Sequence, residues 1–136
     1  MIEFSELIKE YNLEDIPKDH QNNLLILLER LNQLRKIWAK PMIITSAYRS
    51  MEHHLAIYHK RGIYDKSKIP MQSRHLTGQA CDIYDEHFSL TNFCKKDNSK
   101  LIISIGLWCE DDKSVPRLHV QTISPPNSDH RWFKPY

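Results

Sequence analysis

The decapeptide Ser73-Arg74-His75-Leu76-Thr77-Gly78-Gln79-Ala80-Cys81-Asp82 carries an imidazole and a carboxylate on either side of a glycine, in a chain that has only three glycines. A backbone that turns through Gly78 can bring His75 and Asp82 to one point. Taken alone the pair is ordinary, because a chain with eight histidines and seventeen Asp+Glu places some His/Asp pair at short spacing by chance. His119 adds weight to it. In Arg117-Leu118-His119-Val120-Gln121-Thr122, alternation sends Leu118 and Val120 one way and His119 and Gln121 the other, so the histidine lies on the polar face of a strand. Two histidines and one carboxylate are the three protein ligands of an open zinc site, with the fourth position left for water. Hydrolysis is the chemistry such a set would serve.

The surrounding segments must position these groups. From Asn22 to Ala39 the residues Leu24, Leu28, Leu31, Leu34 and Trp38 recur at three and four, with Leu25, Leu27 and Ile37 broadening the stripe, which predicts an amphipathic core helix ended by Pro41. Met42-Ile43-Ile44-Thr45 is a short strand whose end delivers Arg49. Ser50 caps a second helix, about Met51 to Lys60, stopped at Gly62 and followed by loop from Ile63 to Gln72. Ala80 to Tyr84 alternates as a strand, Ser89 to Lys96 suits a short helix, and Ile102 to Glu110 and Arg117 to Thr122 are two more strands joined by the polar turn 111–116. The Pro- and aromatic-containing tail is irregular. His53, His54 and His59 fall on a surface helix and are expected to be solvated, as are His20, His87 and His130. Trp38, Trp108 and Trp132 are expected in the core or as lids, because no basic stripe interleaves them.

The segment Ser73 to Asp82 matches the pattern S-x-H-x-x-G-x-A-x-D and resembles the D-alanyl-D-alanine peptidases, the zinc enzymes of peptidase family M15, which include dipeptidases, carboxypeptidases and small phage endolysins. Ser46-Ala47-Tyr48-Arg49-Ser50 is similar to that family's S-x-Y-R-S element, and Leu118-His119-Val120-Gln121 to the strand that carries its last histidine. The resemblance implies that His75, Asp82 and His119 bind one zinc ion per chain and that Arg49 contacts a substrate carboxylate or the developing oxyanion. It places Tyr48 and Ser73 beside the substrate, and makes Gly78 and Ala80 small so that the backbone can fold tightly around the metal. The fold it implies is α+β, with N-terminal helices packed on a small, mostly antiparallel sheet and the metal in the sheet's cleft. Hedgehog signalling domains share this fold, and there a similar metal site need not imply peptidase action.

Peptide hydrolysis at zinc needs a base for the attacking water and a cation near the tetrahedral oxygen. The related peptidases carry a glutamate three residues before the final histidine, where this chain has Pro116, which can transfer no proton. If the last two predicted strands form a hairpin, Glu110 ends the strand beside that of His119 and becomes the candidate base, with Asp111 and Asp112 as alternatives. The resemblance therefore implies a zinc metallopeptidase acting on stem or cross-bridge peptides of peptidoglycan, as a DD-carboxypeptidase or an endopeptidase of the phage endolysin type. The alternative is a non-catalytic, zinc-stabilised binding module of the same fold.

Composition bounds the remainder. A length of 136 residues fits one domain over 1–136, and 40% hydrophobic with 26% charged residues is ordinary globular usage. A net charge of +2 is too small to make nucleic acid the partner. No stretch is apolar enough for a membrane span, and Met1-Ile2-Glu3-Phe4-Ser5-Glu6 has acids where a signal peptide needs bases, so the expected protein is a monomer made in the cytoplasm that reaches the wall after release. Cys81, Cys94 and Cys109 are odd in number and lack C-x-x-C spacing; they are expected as buried small apolar residues.

Overall fold

The computed structural model describes residues 1–136, and two helices open it, α1 (Phe4–Ile8) and α2 (Lys18–Trp38). Helix α2 begins earlier than the apolar periodicity predicts, because its first turn, Lys18-Asp19-His20-Gln21, is polar and carries no stripe. Leu24, Leu27, Leu31 and Leu34 form its buried face, whereas Leu25 and Ile37 are more than half exposed. Residues one position off an i, i+3, i+7 row are turned about 100° away from it. The stripe is therefore narrower than the sequence suggests, and Trp38 closes it against Phe93 at 4.8 Å between ring centroids.

Strand β1 (Ile44–Ser46) and helix α3 (Met51–Lys60) follow, with Ser50 Oγ accepting from the His53 amide at 3.1 Å as the cap requires. A one-turn 3-10 helix, Arg74–Thr77, leads into β2 (Ala80–Tyr84). Helix α4 (Ser89–Ile105) is broken at 96–99, where Asp97, Asn98 and Ser99 take positive φ. Asp85 starts it by accepting from the amides of Leu90 and Thr91 and from the Thr91 hydroxyl. Strands β3 (Trp108–Glu110), β4 (Arg117–Gln121) and β5 (Trp132–Phe133) complete the chain.

Two predicted elements differ. The strand expected from Ile102 begins only at Trp108, because Ile102 and Ile105 are buried at helical spacing while Ile103 is half exposed, and Gly106 ends the helix at φ +88°. A short apolar run does not separate helix from strand by period alone. The tail, expected to be irregular, supplies β5. It pairs in parallel with β3 through Cys109–Trp132 and Glu110–Phe133.

The sheet order is β1-β2-β4-β3-β5, and every pairing except that of β5 is antiparallel. The α+β architecture, helices against a small and mostly antiparallel sheet, is the one the resemblance implies. One cluster of 21 buried residues joins Leu7, the α2 leucines and Ile102 to Ile44, Ile83, Leu118 and Val120 on the inner face. Arg30 of α2 donates to the carbonyls of Gly106 and Thr122 at 2.8 and 2.9 Å, tying the helix to the end of α4 and the end of β4. All three cysteines are buried and free; burial pushes the Cys94 thiol up to about 12.

Gly78 ends the Arg74–Thr77 turn at φ +75°, and a Cβ there would meet Leu24 Cγ at 2.8 Å and the His20 carbonyl at 2.9 Å. Helix α2 presses on the residue and leaves no room for a side chain there. Gly78→Ala should cost about 2 kcal/mol or more, from the left-handed backbone and the contact with helix backbone together. Thermal denaturation should show a fall in Tm of several degrees; an unchanged Tm would refute the packing account.

Candidate metal centre

The register of the sheet builds the site. Pairing of β2 with β4 sets Asp82 opposite His119, and pairing of β3 with β4 runs Trp108–Gln121 then Cys109–Val120. Continuing that register by one residue puts Glu110 opposite His119 on the other side. Directly paired residues point to the same face, so Asp82, His119 and Glu110 form a row on the face away from Val120 and Cys109. Ser46 extends the row on β1, opposite Asp82, and Phe133 extends it on β5, its ring edge-on to His119 at 6.1 Å.

His75 enters from the 3-10 turn. Two hydrogen bonds clip it to the segment after β1: its Nδ1–H donates to the Ala47 carbonyl at 2.7 Å, and its own carbonyl accepts from the Arg49 amide at 3.1 Å. The first bond fixes the tautomer, leaving the Nε2 lone pair aimed inward, 3.4 Å from Asp82 Oδ2. One donor atom from each of His75, Asp82 and His119 lies within 4.8 Å of the other two, and all three residues are at most 9% exposed.

His119 is oriented by Gln121, a residue absent from the sequence-based candidates. Gln121 Nε2 donates to the Ile123 carbonyl at 3.0 Å, which turns Oε1 toward His119 Nε2–H at 2.8 Å. Nδ1 is thereby left for Asp82 Oδ1 at 2.9 Å. Burial opposes charge on Asp82, but the bond from His119 Nδ1–H and the neighbouring His75 ring outweigh it and hold its carboxyl well below the usual carboxylate range. Burial likewise opposes charge on His119, yet Asp82 raises its pKa; at His75 burial prevails and lowers it. The donor set fits a divalent cation: an anionic oxygen, one inward Nε2 lone pair, and one Nδ1 whose proton a cation between the rings would replace.

The ligand set lies on a cleft of about 220 Å³ that Glu110, Arg49, Ser73 and Asp112 also line. Glu110 is partly buried, and desolvation raises its pKa above the ordinary glutamate value against the opposing pull of His119 and Arg117. Asp112 lines the cleft with its carboxylate turned to Ser114, accepting from the amide at 2.9 Å and from the hydroxyl. Asp111, the other alternative base, does not line the cleft; Lys95 and Lys134 hold it elsewhere at 3.1 and 3.5 Å. Tyr48 is buried beside Tyr11 and lines an adjoining cavity of about 630 Å³ that shares Arg49 with the cleft. Three further arginines, Arg61, Arg74 and Arg117, line the cleft. Nothing in their local spacing marks them in the sequence.

Among known protein families, the chain matches Peptidase M15 over residues 2–113. The protein belongs to the peptidase M15 family. No curated protein and no solved structure matches it. This M15 peptidase carries Arg49, His75, Asp82 and Glu110 within the matched segment, and His119 follows it, placed by the sheet register. M15 peptidases are metal-dependent, and the His75–Asp82–His119 group is a possible metal site of that kind. No helix of the chain is long and apolar enough to cross a membrane.

His54 overturns its expectation. It is the one buried residue of α3 and is fully inaccessible rather than solvated, because its ring is enclosed between Arg49 and the Pro70 carbonyl. Its Nδ1 faces Arg49 Nη1 at 3.1 Å and its Nε2 faces the Pro70 carbonyl at 3.0 Å. Burial foremost, with Arg49 adding to it, lowers its pKa below the ordinary histidine value. A histidine depressed in the folded state binds its proton more readily when unfolded, so its contribution to stability is whole above an unfolded pKa of about 6.5 and is lost as pH falls below it. Denaturant unfolding of metal-free protein at pH 7.5 and 5.5 should therefore show a smaller acid-side loss in His54→Asn than in the parent. Equal losses would refute the depressed histidine.

Proposed function

We propose that this M15 peptidase is a zinc metallopeptidase that hydrolyses peptide bonds in stem or cross-bridge peptides of peptidoglycan, of the DD-carboxypeptidase or endopeptidase type. The observation that carries the reading is the row Asp82–His119–Glu110 across three strands, with His75 and Arg49 brought to its end. His75 Nε2, an Asp82 oxygen and His119 Nδ1 would hold the zinc. Bound there, zinc supplies Lewis-acid activation of a water and of the scissile carbonyl.

The chain's own residues do the remainder. Glu110, opposite His119 and partly desolvated, takes the proton of the attacking water and passes it to the leaving amine; its raised pKa moves it toward the range in which a base both accepts and returns a proton. Arg49 donates its fork of N–H groups to a substrate carboxylate or to the oxyanion. Ser73 lines the substrate's path, and Tyr48 borders the adjoining cavity. Arg61, Arg74 and Arg117 add positive charge to the same cleft, which suits peptides bearing free carboxylates. An acid facing the metal set is what favours an enzyme over a non-catalytic zinc module: Glu110 fills by tertiary pairing the role that Pro116 cannot fill by position.

Elemental analysis of the purified protein should find about one zinc per chain, and His75→Ala should strip it. Full zinc content in that variant would remove His75 from the ligand set. Glu110→Gln should retain zinc and fold while lowering kcat on purified peptidoglycan by about two to four orders of magnitude, read from the masses of released fragments. Undiminished turnover would remove Glu110 from the mechanism.

A further inference from the structure

Arg49 is held in the cleft by neutral partners only. Its Nη2 donates to Ser46 Oγ at 3.2 Å, and its Nη1 lies 3.1 Å from His54 Nδ1. A guanidinium has no acceptor, so His54 Nδ1 must be the acceptor and carries no proton. The ring's one proton is then on Nε2, which donates to the Pro70 carbonyl at 3.0 Å. Both ring nitrogens are satisfied in the neutral Nε2–H tautomer and in no other state. Pro70 also accepts from the Ser73 amide at 3.1 Å, so one carbonyl joins His54 to the segment that leads into His75.

We infer that His54 is a positioning residue that fixes the Arg49 guanidinium in the cleft through a neutral acceptor, leaving its charge free for an anionic group of the substrate. A carboxylate in the place of His54 would hold Arg49 as firmly but would form an ion pair that an incoming substrate carboxylate or oxyanion has to compete with. An imidazole held neutral supplies the hydrogen bond without that competition. A wholly buried polar ring on a helix whose other residues are exposed or half-buried has no core-filling explanation of comparable force, since an apolar side chain of similar size would avoid the desolvation. The inference rests on the reading of Arg49 as the substrate's anion contact.

The test compares zinc-loaded parent, His54→Asn and His54→Gln, each with and without Arg49→Lys, on purified peptidoglycan. An asparagine oxygen stands where Nδ1 stands and restores the acceptor for Arg49; a glutamine amide reaches the Nε2 place, retaining the Pro70 contact without that acceptor. His54→Asn should stay within about threefold of the parent kcat and His54→Gln should fall about 10–100-fold at unchanged zinc content, the scale of a misplaced catalytic group. In the Arg49→Lys background the two His54 variants should differ no further, because residues acting through one another are non-additive. Nitrogen-15 NMR of the imidazoles should find His54 as the Nε2–H tautomer at pH 7 with and without zinc. Glutamine matching asparagine, additive effects with Arg49→Lys, or a protonated Nδ1 would each overturn the inference. If the parent digests no peptidoglycan, the functional reading falls on that result, while the NMR tautomer still decides whether His54 accepts from Arg49. Full activity of Arg49→Lys alone would instead overturn the role of Arg49 and the inference with it.

Discussion

The antiparallel register between β2 and β4 is the constraint on which the rest depends, because it alone sets Asp82 opposite His119. A slip by one residue would turn His119 and Gln121 into the core and Leu118 and Val120 onto the cleft, since side chains alternate with a period of two. The wholly buried Ile83, Leu118 and Val120 on the inner face forbid that slip. The same apolar burial that stabilises the sheet therefore fixes the spacing of the polar groups on its other face. No separate device is needed to bring the carboxylate and imidazole together.

Around this row, buried polar groups are oriented by partners that carry no charge of their own. The Ala47 carbonyl sets His75, Gln121 sets His119, and Ser46 with His54 sets Arg49. Each bond fixes a direction while leaving the charge or lone pair of the functional atom unspent. The exception is Asp82, whose carboxylate accepts from His119 Nδ1–H at 2.9 Å and faces the His75 Nε2 lone pair at 3.4 Å, an arrangement that fits three groups around one cation. The cleft as a whole is rich in guanidinium, with Arg49, Arg61, Arg74 and Arg117 on its walls, although the whole chain carries only +2. Net charge hid a local field that the fold concentrates.

Helix α2 contributes to the site at a distance. Its leucine row presses on Gly78, its Asn23 donates to the Thr77 carbonyl at 3.0 Å, and its Arg30 holds the Gly106 and Thr122 carbonyls. The turn bearing His75 and the end of the strand bearing His119 are thus both fastened to one rigid element. Metal ligands from different segments keep a fixed separation only if such a common support exists.

The helices with strong apolar period, the capped start of α3, the strands around Asp82 and His119, and the three residues that converge are all legible in local spacing, which encodes period, caps and turns. It also placed Glu110 at the end of a strand beside that of His119. What it misjudged was decided elsewhere. The run from Ile102 is helix because tertiary burial, rather than β-branching, selects its period, and the tail becomes β5 because β3 offers an open edge. His54 looked solvated because its helix is polar and short; its burial depends on where the segment 69–75 lies. Gln121 and Asp111 differ in role only through the face each presents and the partners waiting there. Contacts between segments far apart in the chain leave no periodic trace, so only the tertiary structure could decide which polar residues are buried and aimed at the cleft.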